Sequence, residues 1–596
     1  MAPTIQTASL GLSYPVYACD FDPQDANRLV VGGGGGVSKT GVHNKISVID
    51  ASHSDSLQVV SELDLSANED SVTSLAVGPK RANGKSILVF AGVNSSPAEV
   101  VKGKNEHFRV FAIEPSLKVK VQPGIAEISR EAIFKANDTN TYQRVLRISQ
   151  PFADLPQLGA IATGFAKEPQ IAVFDVLPAK PFAPRGTIEI DKEASDLDII
   201  QTGDGEYQLV YCDDYEIYTM NIGKKTTTGP TCVFTIPHHE SPRPSFRSIR
   251  YLTPTFVLAA ANIPKAGGVV LQGFRLPKPD QGSDAKARLA ISAKLPKPVT
   301  RTTGMAVRNL SPPLTPTAKY GDSEFAVAVA GHDSSVTLYK LDHTTTLNVD
   351  LLSNLHPITT FKAVHPGPIS GLAFSPFLPP KAPTMRRHHI KLASIGSMGN
   401  SLVVHTVPLR KVVEKPPTAT ARRHSVGPPR PARYVVDLKA HGPSATPLVV
   451  YLTVIMTLLA ILGQSLLEIK GLSPPILHAK RITPASWHYK YGPPAAATSA
   501  PKLADILGGI AGGSGDGKVV MLGGDDEVKV VGEEELDEGK AGNAVSWHQL
   551  GAEQKAAWKQ KLQEAGHWGE GLGEAIFKGV LFGEIGGAVA GAVREL

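Results

Sequence analysis

The chain has 596 residues, of which 42% are hydrophobic and 19% are charged, and its formal net charge is +6. This length allows several domains or one large repeat architecture, whereas so modest a charge argues against the basic footprint of a nucleic-acid-binding protein. The three cysteines, Cys19, Cys212 and Cys232, are far apart and lack CxxC spacing, which argues against a disulfide framework or a zinc site.

The region from residue 14 to 409 contains short strand-like runs and no long amphipathic helix. Seven segments with alternating apolar residues recur roughly every 40 to 65 residues, at or above the length of a WD-repeat blade, which implies inserted loops. They are Lys45–Asp50, His107–Ile113, Gln170–Val176, Tyr215–Ile222, Gly268–Leu276, Ser335–Leu341 and Ser401–Val407. They predict an all-β fold, a seven-bladed degenerate WD-repeat β-propeller over residues 1–409. Because no Trp-Asp pair closes a repeat, a pair of β-sandwiches is the alternative.

A run of five consecutive glycines, Gly32–Gly36, lies between two of the predicted strands, and Gly41 and Asn44 follow it. No helix follows this loop, so the sequence disfavours a phosphate-binding loop. Glycine adopts positive φ at little cost, which allows backbone carbonyls to converge and, with the side-chain oxygen of Asn44, to hold a hard cation. A solvent-exposed loop without a ligand is the alternative.

The amino-acid composition changes twice after the predicted propeller. Residues 410–446 are rich in proline and basic residues, which predicts an extended linker. Residues 447–467 contain no charged residue and are dominated by Leu, Ile and Val, which predicts one transmembrane helix and disfavours a buried core helix. Eight Lys and Arg residues lie in residues 410–446 and only four in residues 468–490, so we expect the propeller in the cytosol and the C-terminus in the lumen.

The predicted lumenal tail, residues 468–596, is partly disordered and partly helical. Low-complexity and acidic stretches up to residue 538 predict disorder. Two later segments, residues 547–568 and 573–596, have a helical pattern, and the second carries a glycine at every fourth residue between 579 and 591.

The sequence contains no hydrolase, kinase or metalloprotease motif, and its eighteen histidines show no paired metal-ligand spacing. We therefore expect a regulatory or binding protein rather than an enzyme with a covalent or hydrolytic active site.

The order of these parts resembles a known family. Tyr14-Pro15-Val16-Tyr17, then the glycine run, Gly41-x-x-Asn44, a degenerate propeller and one late membrane helix are similar to the endoplasmic-reticulum exchange factors for the small GTPase that initiates COPII coat assembly. Animal members of this family are called prolactin regulatory element-binding protein. The resemblance covers about residues 10–467, and its specific part is the glycine loop with its terminal asparagine.

The resemblance implies a guanine-nucleotide exchange factor at the endoplasmic-reticulum membrane. It implies that the glycine loop binds potassium and contacts the GTPase, with Asn44, Val42 and His43 as the residues that promote exchange. The implied potassium ligands are Gly32, Gly33, Gly34, Gly35, Gly36, Gly41 and Asn44. Val42 replaces the commoner Ile and His43 stands where Pro or Lys is usual, so the contact surface differs in detail.

Two other functions fit parts of the sequence. A membrane-tethered propeller scaffold without exchange activity would have the same order of domains. A DNA-binding regulator, which the animal name suggests, would need clustered basic residues on the propeller, yet the densest basic run is the linker beside the membrane helix. We therefore expect no nucleic acid among the partners.

Overall fold

A computed structural model describes most of the chain before residue 489 and two short strands beyond it. The described residues are 5–37, 41–81, 86–114, 124–134, 138–153, 155–238, 242–278, 285–346, 349–379, 388–412, 433–438, 445–470, 473–484, 487–488, 518–522 and 528–532. The chain divides into two units, residues 1–443 and 444–596.

The first unit is a ring of seven antiparallel sheets, and the predicted seven-bladed propeller is thereby confirmed. After β1 (Gln6–Gly11), the first three blades are β2 (Val16–Asp22), β3 (Asp25–Gly33), β4 (Lys45–Asp50) and β5 (Gln58–Asp64); β6 (Ser74–Lys80), β7 (Ile87–Gly92), β8 (Phe108–Ile113) and β9 (Ile125–Glu131); and β10 (Tyr142–Ile148), β11 (Gln157–Gly164), β12 (Gln170–Val176) and β13 (Ala183–Glu189). A five-residue helix, α1 (Pro97–Val101), lies between β7 and β8.

The remaining blades follow in chain order. Blades four to six are β14 (Asp196–Gly203), β15 (Glu206–Cys212), β16 (Glu216–Ile222) and β17 (Thr227–Thr235); β18 (Ser245–Thr253), β19 (Phe256–Ile263), β20 (Gly268–Arg275) and β21 (Arg288–Lys294); and β22 (Thr302–Asn309), β23 (Ser323–Gly331), β24 (Val336–Thr346) and β25 (Val349–Phe361). Blade seven contains β26 (Ile369–Phe374), β27 (His388–Gly396), β28 (Ser401–Val412) and β29 (Arg433–Val436).

The first strand of each blade faces the centre of the ring and contacts the first strand of the next blade. All seven segments predicted from the alternating pattern are third strands, which have an apolar neighbour on each face because blades stack against one another. The ring closes through β1, which pairs with β28 from Gln6–Thr406 to Gly11–Ser401. This pairing leaves neither terminal blade with a long free edge.

The end of the propeller differs from the prediction. Residues 410–446 were expected to be an extended linker, but β28 continues to Val412 and Arg433–Val436 pairs with it as β29. Tyr434 and Val436 are buried in the apolar cluster between the last two blades, and this burial holds the segment in the sheet. The middle of the predicted linker, residues 413–432, lies outside the described residues.

The second unit begins with α2 (Ala445–Lys470), whose window Val449–Lys470 is long and apolar enough to cross a membrane. None of that window is buried within the structure, which disfavours a core helix. The hydroxyls of Thr453 and Thr457 donate to the carbonyls four residues earlier, at 2.7 and 2.8 Å, so these polar groups are satisfied within the helix.

The predicted tail is described only in part. A short helix, α3 (Ala479–Ile482), is followed by β30 (Lys518–Leu522) and β31 (Val528–Gly532), which pair antiparallel. Each of these two strands is a valine-rich run, and a glycine-containing connection separates them in the sequence. The predicted helices at 547–568 and 573–596 lie outside the described residues.

Candidate functional site

The glycine loop connects the second and third strands of blade one. Since neighbouring strands are antiparallel, this connection lies at the same end of the propeller as the segment 65–73, which leads into blade two. The structure describes loop residues 34–37 and 41–44. The loop is therefore presented at one face of the ring, next to the junction of two blades.

Two of the five glycines, Gly32 and Gly33, belong to β3 and pair with both neighbouring strands. Their role in the structure is steric: a Cβ on Gly33 would lie 1.9 Å from the carbonyl oxygen of Pro15, and one on Gly32 would lie 2.7 Å from Val72 Cγ1. Only glycine allows the strand to pass so close to its neighbours. The potassium-ligand role of these two residues stays a prediction.

The loop glycines are required by backbone conformation. Gly34, Gly36 and Gly41 have φ values of +146°, +69° and +78°, which other residues rarely adopt. A Cβ on Gly34 would also lie 2.1 Å from Asn44 Oδ1, whereas one on Gly41 would meet nothing within 4 Å. Gly34 is thus fixed by both conformation and packing, and Gly41 by conformation alone.

Asn44 lies at the base of the loop and is fully buried. Its side-chain oxygen accepts a hydrogen bond from the Gly36 amide at 2.9 Å, and its amide nitrogen donates to the carbonyls of Glu69 at 2.8 Å and Ser66 at 3.3 Å. Its own carbonyl accepts from Leu65 N at 2.8 Å. The side chain therefore connects the glycine loop to the segment that leads into blade two, and it is turned away from solvent.

The two residues before Asn44 differ in exposure. Val42 is half-buried and packs on the apolar cluster between blades seven and one. The side chain of His43 is 64% exposed, with Nδ1 4.0 Å from Asp64 Oδ1. On the other arm of the loop, Val37 is 45% exposed. The outer surface of the described loop is therefore formed by His43, Val37 and glycine backbone.

Sequence reasoning did not identify Val37, Ser66 or Glu69. Val37 carried no signal apart from its place next to the glycines. Ser66 and Glu69 contribute backbone carbonyls from another connection, and nothing in the local sequence points them towards Asn44.

The central channel is a second concave region, with a cavity of about 320 Å³ lined by residues of all seven first strands. Its charged groups connect neighbouring blades. Arg250 pairs with Asp196, and Asp198 accepts a hydrogen bond from Tyr251 N at 2.8 Å. Burial raises the pKa of Asp20 to about 6, although Val77 N donates to its carboxylate. These contacts join neighbouring blades to one another and do not pair a nucleophile with a base.

Among the described residues, no three His, Cys, Asp or Glu side chains are grouped so that they could hold a metal ion. The side-chain oxygens beside the loop glycines are Asn44 Oδ1 and Asp70 Oδ1. Oxygen ligands of these kinds suit a monovalent or alkaline-earth ion rather than zinc.

Comparison with known proteins gives one match among curated sequences. Over 372 residues the chain is 27% identical to the guanine nucleotide-exchange factor SEC12 of Candida glabrata, which covers 61% of this chain and 67% of that protein. The chain is thus similar to SEC12. The resemblance inferred from the glycine loop, the propeller and the membrane helix is thereby confirmed. No family model matches the chain.

Solved structures add little to the match with SEC12. Sqt1 from Chaetomium thermophilum is 15% identical, with a TM-score of 0.42, over 68% of this chain and 98% of that one. The Nup133 β-propeller domain of Vanderwaltozyma polyspora is 9% identical, with a TM-score of 0.41, over the same shares. At TM-scores this low, the likeness supports no conclusion.

Proposed function

We propose that this protein is a guanine-nucleotide exchange factor that promotes GDP release and GTP loading on the small GTPase that starts COPII coat assembly at the endoplasmic reticulum. The observation that carries the proposal is the glycine loop, which is fixed at its base by Asn44 and presented at one face of the propeller. The relationship to SEC12 supports it.

Exchange needs a rigid surface rather than an acid, a base or a nucleophile. Nucleotide and Mg²⁺ hold the switch segments of a small GTPase in place. A partner that binds the nucleotide-free form more tightly than the loaded form lowers the barrier to release. A loop already fixed in its binding conformation has less conformational entropy to lose on contact. The protein therefore acts as a regulator of a GTPase.

The structure suggests separate tasks for the predicted exchange residues. His43 and Val37 offer side chains to a partner, while Val42 fixes the returning arm of the loop on the core. Asn44 acts behind them, because its side chain is buried and bonds to Gly36 N and to the carbonyls of Ser66 and Glu69. In this proposal Asn44 promotes exchange by holding the loop in shape, without touching the GTPase.

We extend the proposal to a potassium ion held by the loop. Two side-chain oxygens lie close to the loop glycines: Asn44 Oδ1, 2.1 Å from where a Cβ on Gly34 would be, and Asp70 Oδ1, 2.9 Å from where a Cβ on Gly36 would be. Carbonyl and amide oxygens are the ligands that such a hard cation prefers. When bound, the ion supplies positive charge that offsets the repulsion between converging oxygens.

The membrane helix supplies the second part of the function. We propose that α2 anchors the protein in the endoplasmic-reticulum membrane with the propeller in the cytosol and the C-terminus in the lumen, as the excess of basic residues before the helix favours. A tether raises the effective concentration of the propeller for a GTPase that acts on the same bilayer.

The test uses the full-length protein in detergent with the coat-initiating GTPase loaded with a fluorescent GDP analogue. We expect faster GDP release in potassium buffer and slower release when sodium replaces potassium. Equal acceleration in both buffers would refute the potassium ion but leave exchange intact. Binding of the GTPase without acceleration in either buffer would favour the tethered scaffold.

A further inference from the structure

One acidic residue of the segment before blade two, Glu69, contacts both the base of the glycine loop and the interior of blade two. The segment that joins β5 to β6 carries it, and its backbone carbonyl accepts the Asn44 amide at 2.8 Å. The same residue donates its own amide to Ser66 O at 3.2 Å, which closes the turn around Asn44. The position of this carbonyl therefore fixes where the base of the loop lies.

The side chain of Glu69 points the other way, into blade two. Its Oε2 accepts from Arg109 Nη1 and its Oε1 from Arg130 Nη1, both at 2.6 Å. Glu69 is 6% exposed and Arg109 is completely buried. Each oxygen of one buried carboxylate thus holds a different guanidinium, which is a short, charge-assisted geometry.

The two arginines would not be stable neighbours by themselves. Arg109 in β8 and Arg130 in β9 are directly opposite each other in the ladder, where like charges repel. The carboxylate of Glu69 bridges them, Glu127 also pairs with Arg130, and these negative charges offset the repulsion. Burial would raise the pKa of Glu69, but the hydrogen bonds and charges of Arg109 and Arg130 hold it below its usual value, so the bridge is ionised at neutral pH.

We propose that Glu69 and Arg109 are positioning residues for the glycine loop, and that blade two is the support against which the loop acts. The inference rests on the proposed exchange function. The chain of contacts runs from Arg109 and Arg130 to the Glu69 carboxylate, and from the Glu69 carbonyl through Asn44 to Gly36. A GTPase that pushes on the loop is then resisted by buried ion pairs.

The outer strand of blade one offers a control residue, Glu62. Glu62 in β5 also accepts from two groups, Lys45 Nζ at 3.1 Å and Ser47 Oγ at 2.9 Å. It lies within the blade and has no hydrogen bond to Asn44 among the described contacts. Glu62→Gln therefore makes the same chemical change as Glu69→Gln without altering the connection between blade two and the loop.

The experiment compares Glu69→Gln, Arg130→Gln and Glu62→Gln in the full-length protein. Exchange is followed at increasing GTPase concentration to separate the maximal rate from half-saturation, and amide hydrogen exchange is measured on a peptide that covers the loop. We expect Glu69→Gln to lower the maximal rate about tenfold, to leave half-saturation within twofold and to speed amide exchange in the loop. Glu62→Gln should match the wild type in all three.

Glu69→Gln leaves the fully buried Arg109 without its anion, so a folding defect is a real outcome. Arg130→Gln then decides, because Arg130 is 38% exposed and its loss leaves the pair of Glu69 with Arg109 intact. We expect a smaller fall in maximal rate for this variant, with unchanged melting temperature. Unchanged rate and unchanged loop protection in a folded Glu69→Gln or Arg130→Gln protein would overturn the proposal.

The experiment separates failure of the exchange function from failure of the positioning role. A wild-type protein that does not accelerate GDP release refutes the proposed function, and the hydrogen-exchange arm still decides whether Glu69 holds the loop. A wild-type protein that is active, with equal losses in Glu69→Gln and Glu62→Gln, refutes the positioning role alone.

Discussion

Asn44→Asp is the most discriminating single change at the glycine loop. Aspartate has the shape of asparagine and can still accept the Gly36 amide at 2.9 Å. It cannot donate to the carbonyls of Glu69 and Ser66, and it turns a negative oxygen towards both. The variant therefore removes the connection between the loop and the blade-two segment while keeping the volume of the side chain.

The magnitude follows from those two lost donations. A buried polar group without a partner costs about 1–3 kcal/mol. The Glu69 carbonyl loses its Asn44 donor, Ser66 O keeps only the Glu69 amide, and the charged Asp oxygen repels both, so the braced loop is disfavoured by roughly 2 kcal/mol or more. A loss of about 2 kcal/mol lowers the equilibrium constant for the braced loop about 30-fold. Because the loop lies at the surface, we expect it to detach while the propeller stays folded.

Exchange assays on the full-length protein test this reasoning. We expect Asn44→Asp to lose at least about 30-fold in exchange rate, as much as Asn44→Ala, with little change in melting temperature. Asn68→Asp, the same change at an exposed position of the neighbouring turn, controls for the added charge and should be active. An Asn44→Asp protein that keeps a third or more of wild-type activity would refute the bracing role.

Further predictions concern the loop, the pH dependence of stability and the membrane helix. Gly34→Ala should abolish most exchange activity, whereas Gly41→Ala should lose little beyond the roughly 1–2 kcal/mol of backbone strain, measured by the same GDP-release assay. Burial raises the pKa of Glu324 from 4.5 to about 7, so the penalty for ionising it in the fold grows as the pH rises through this range. Glu324→Gln should therefore raise the free energy of unfolding by about 1–3 kcal/mol at pH 8 and by almost nothing below about pH 4, and a pH-independent difference in denaturant melts would contradict this. Burial lowers the pKa of His107 to about 4, and its Nε2 accepts a hydrogen bond from the Phe134 amide. The contribution of neutral His107 to stability is therefore complete above about pH 6.5 and is lost as the pH falls towards 4. In denaturant melts across this range, His107→Gln should lose less stability with falling pH than the wild type. Leu458→Arg, near the middle of α2, should weaken membrane integration by about 2.5–3.5 kcal/mol, and unchanged resistance to alkaline extraction would argue against a membrane span.

Local patterns in the sequence determined much of this protein. Alternating apolar residues marked the third strand of every blade, because each such strand has one neighbouring blade on either face. Five adjacent glycines before Asn44 indicated a special loop, because few other residues adopt its backbone conformations. An uncharged, largely aliphatic stretch marked α2, because its length matches the thickness of a bilayer. Each of these signals is contained in one short stretch of chain.

Tertiary structure decided the features that join distant parts of the chain. The direction of the Asn44 side chain depends on carbonyls more than twenty residues away, and the Glu69 bridge depends on two arginines that only become neighbours once β8 and β9 pair. Closure of the ring by β1 and the addition of β29 to blade seven likewise depend on partners in other blades or far along the chain. No local pattern encodes such contacts, because the residues that make them have no fixed spacing until the propeller has formed.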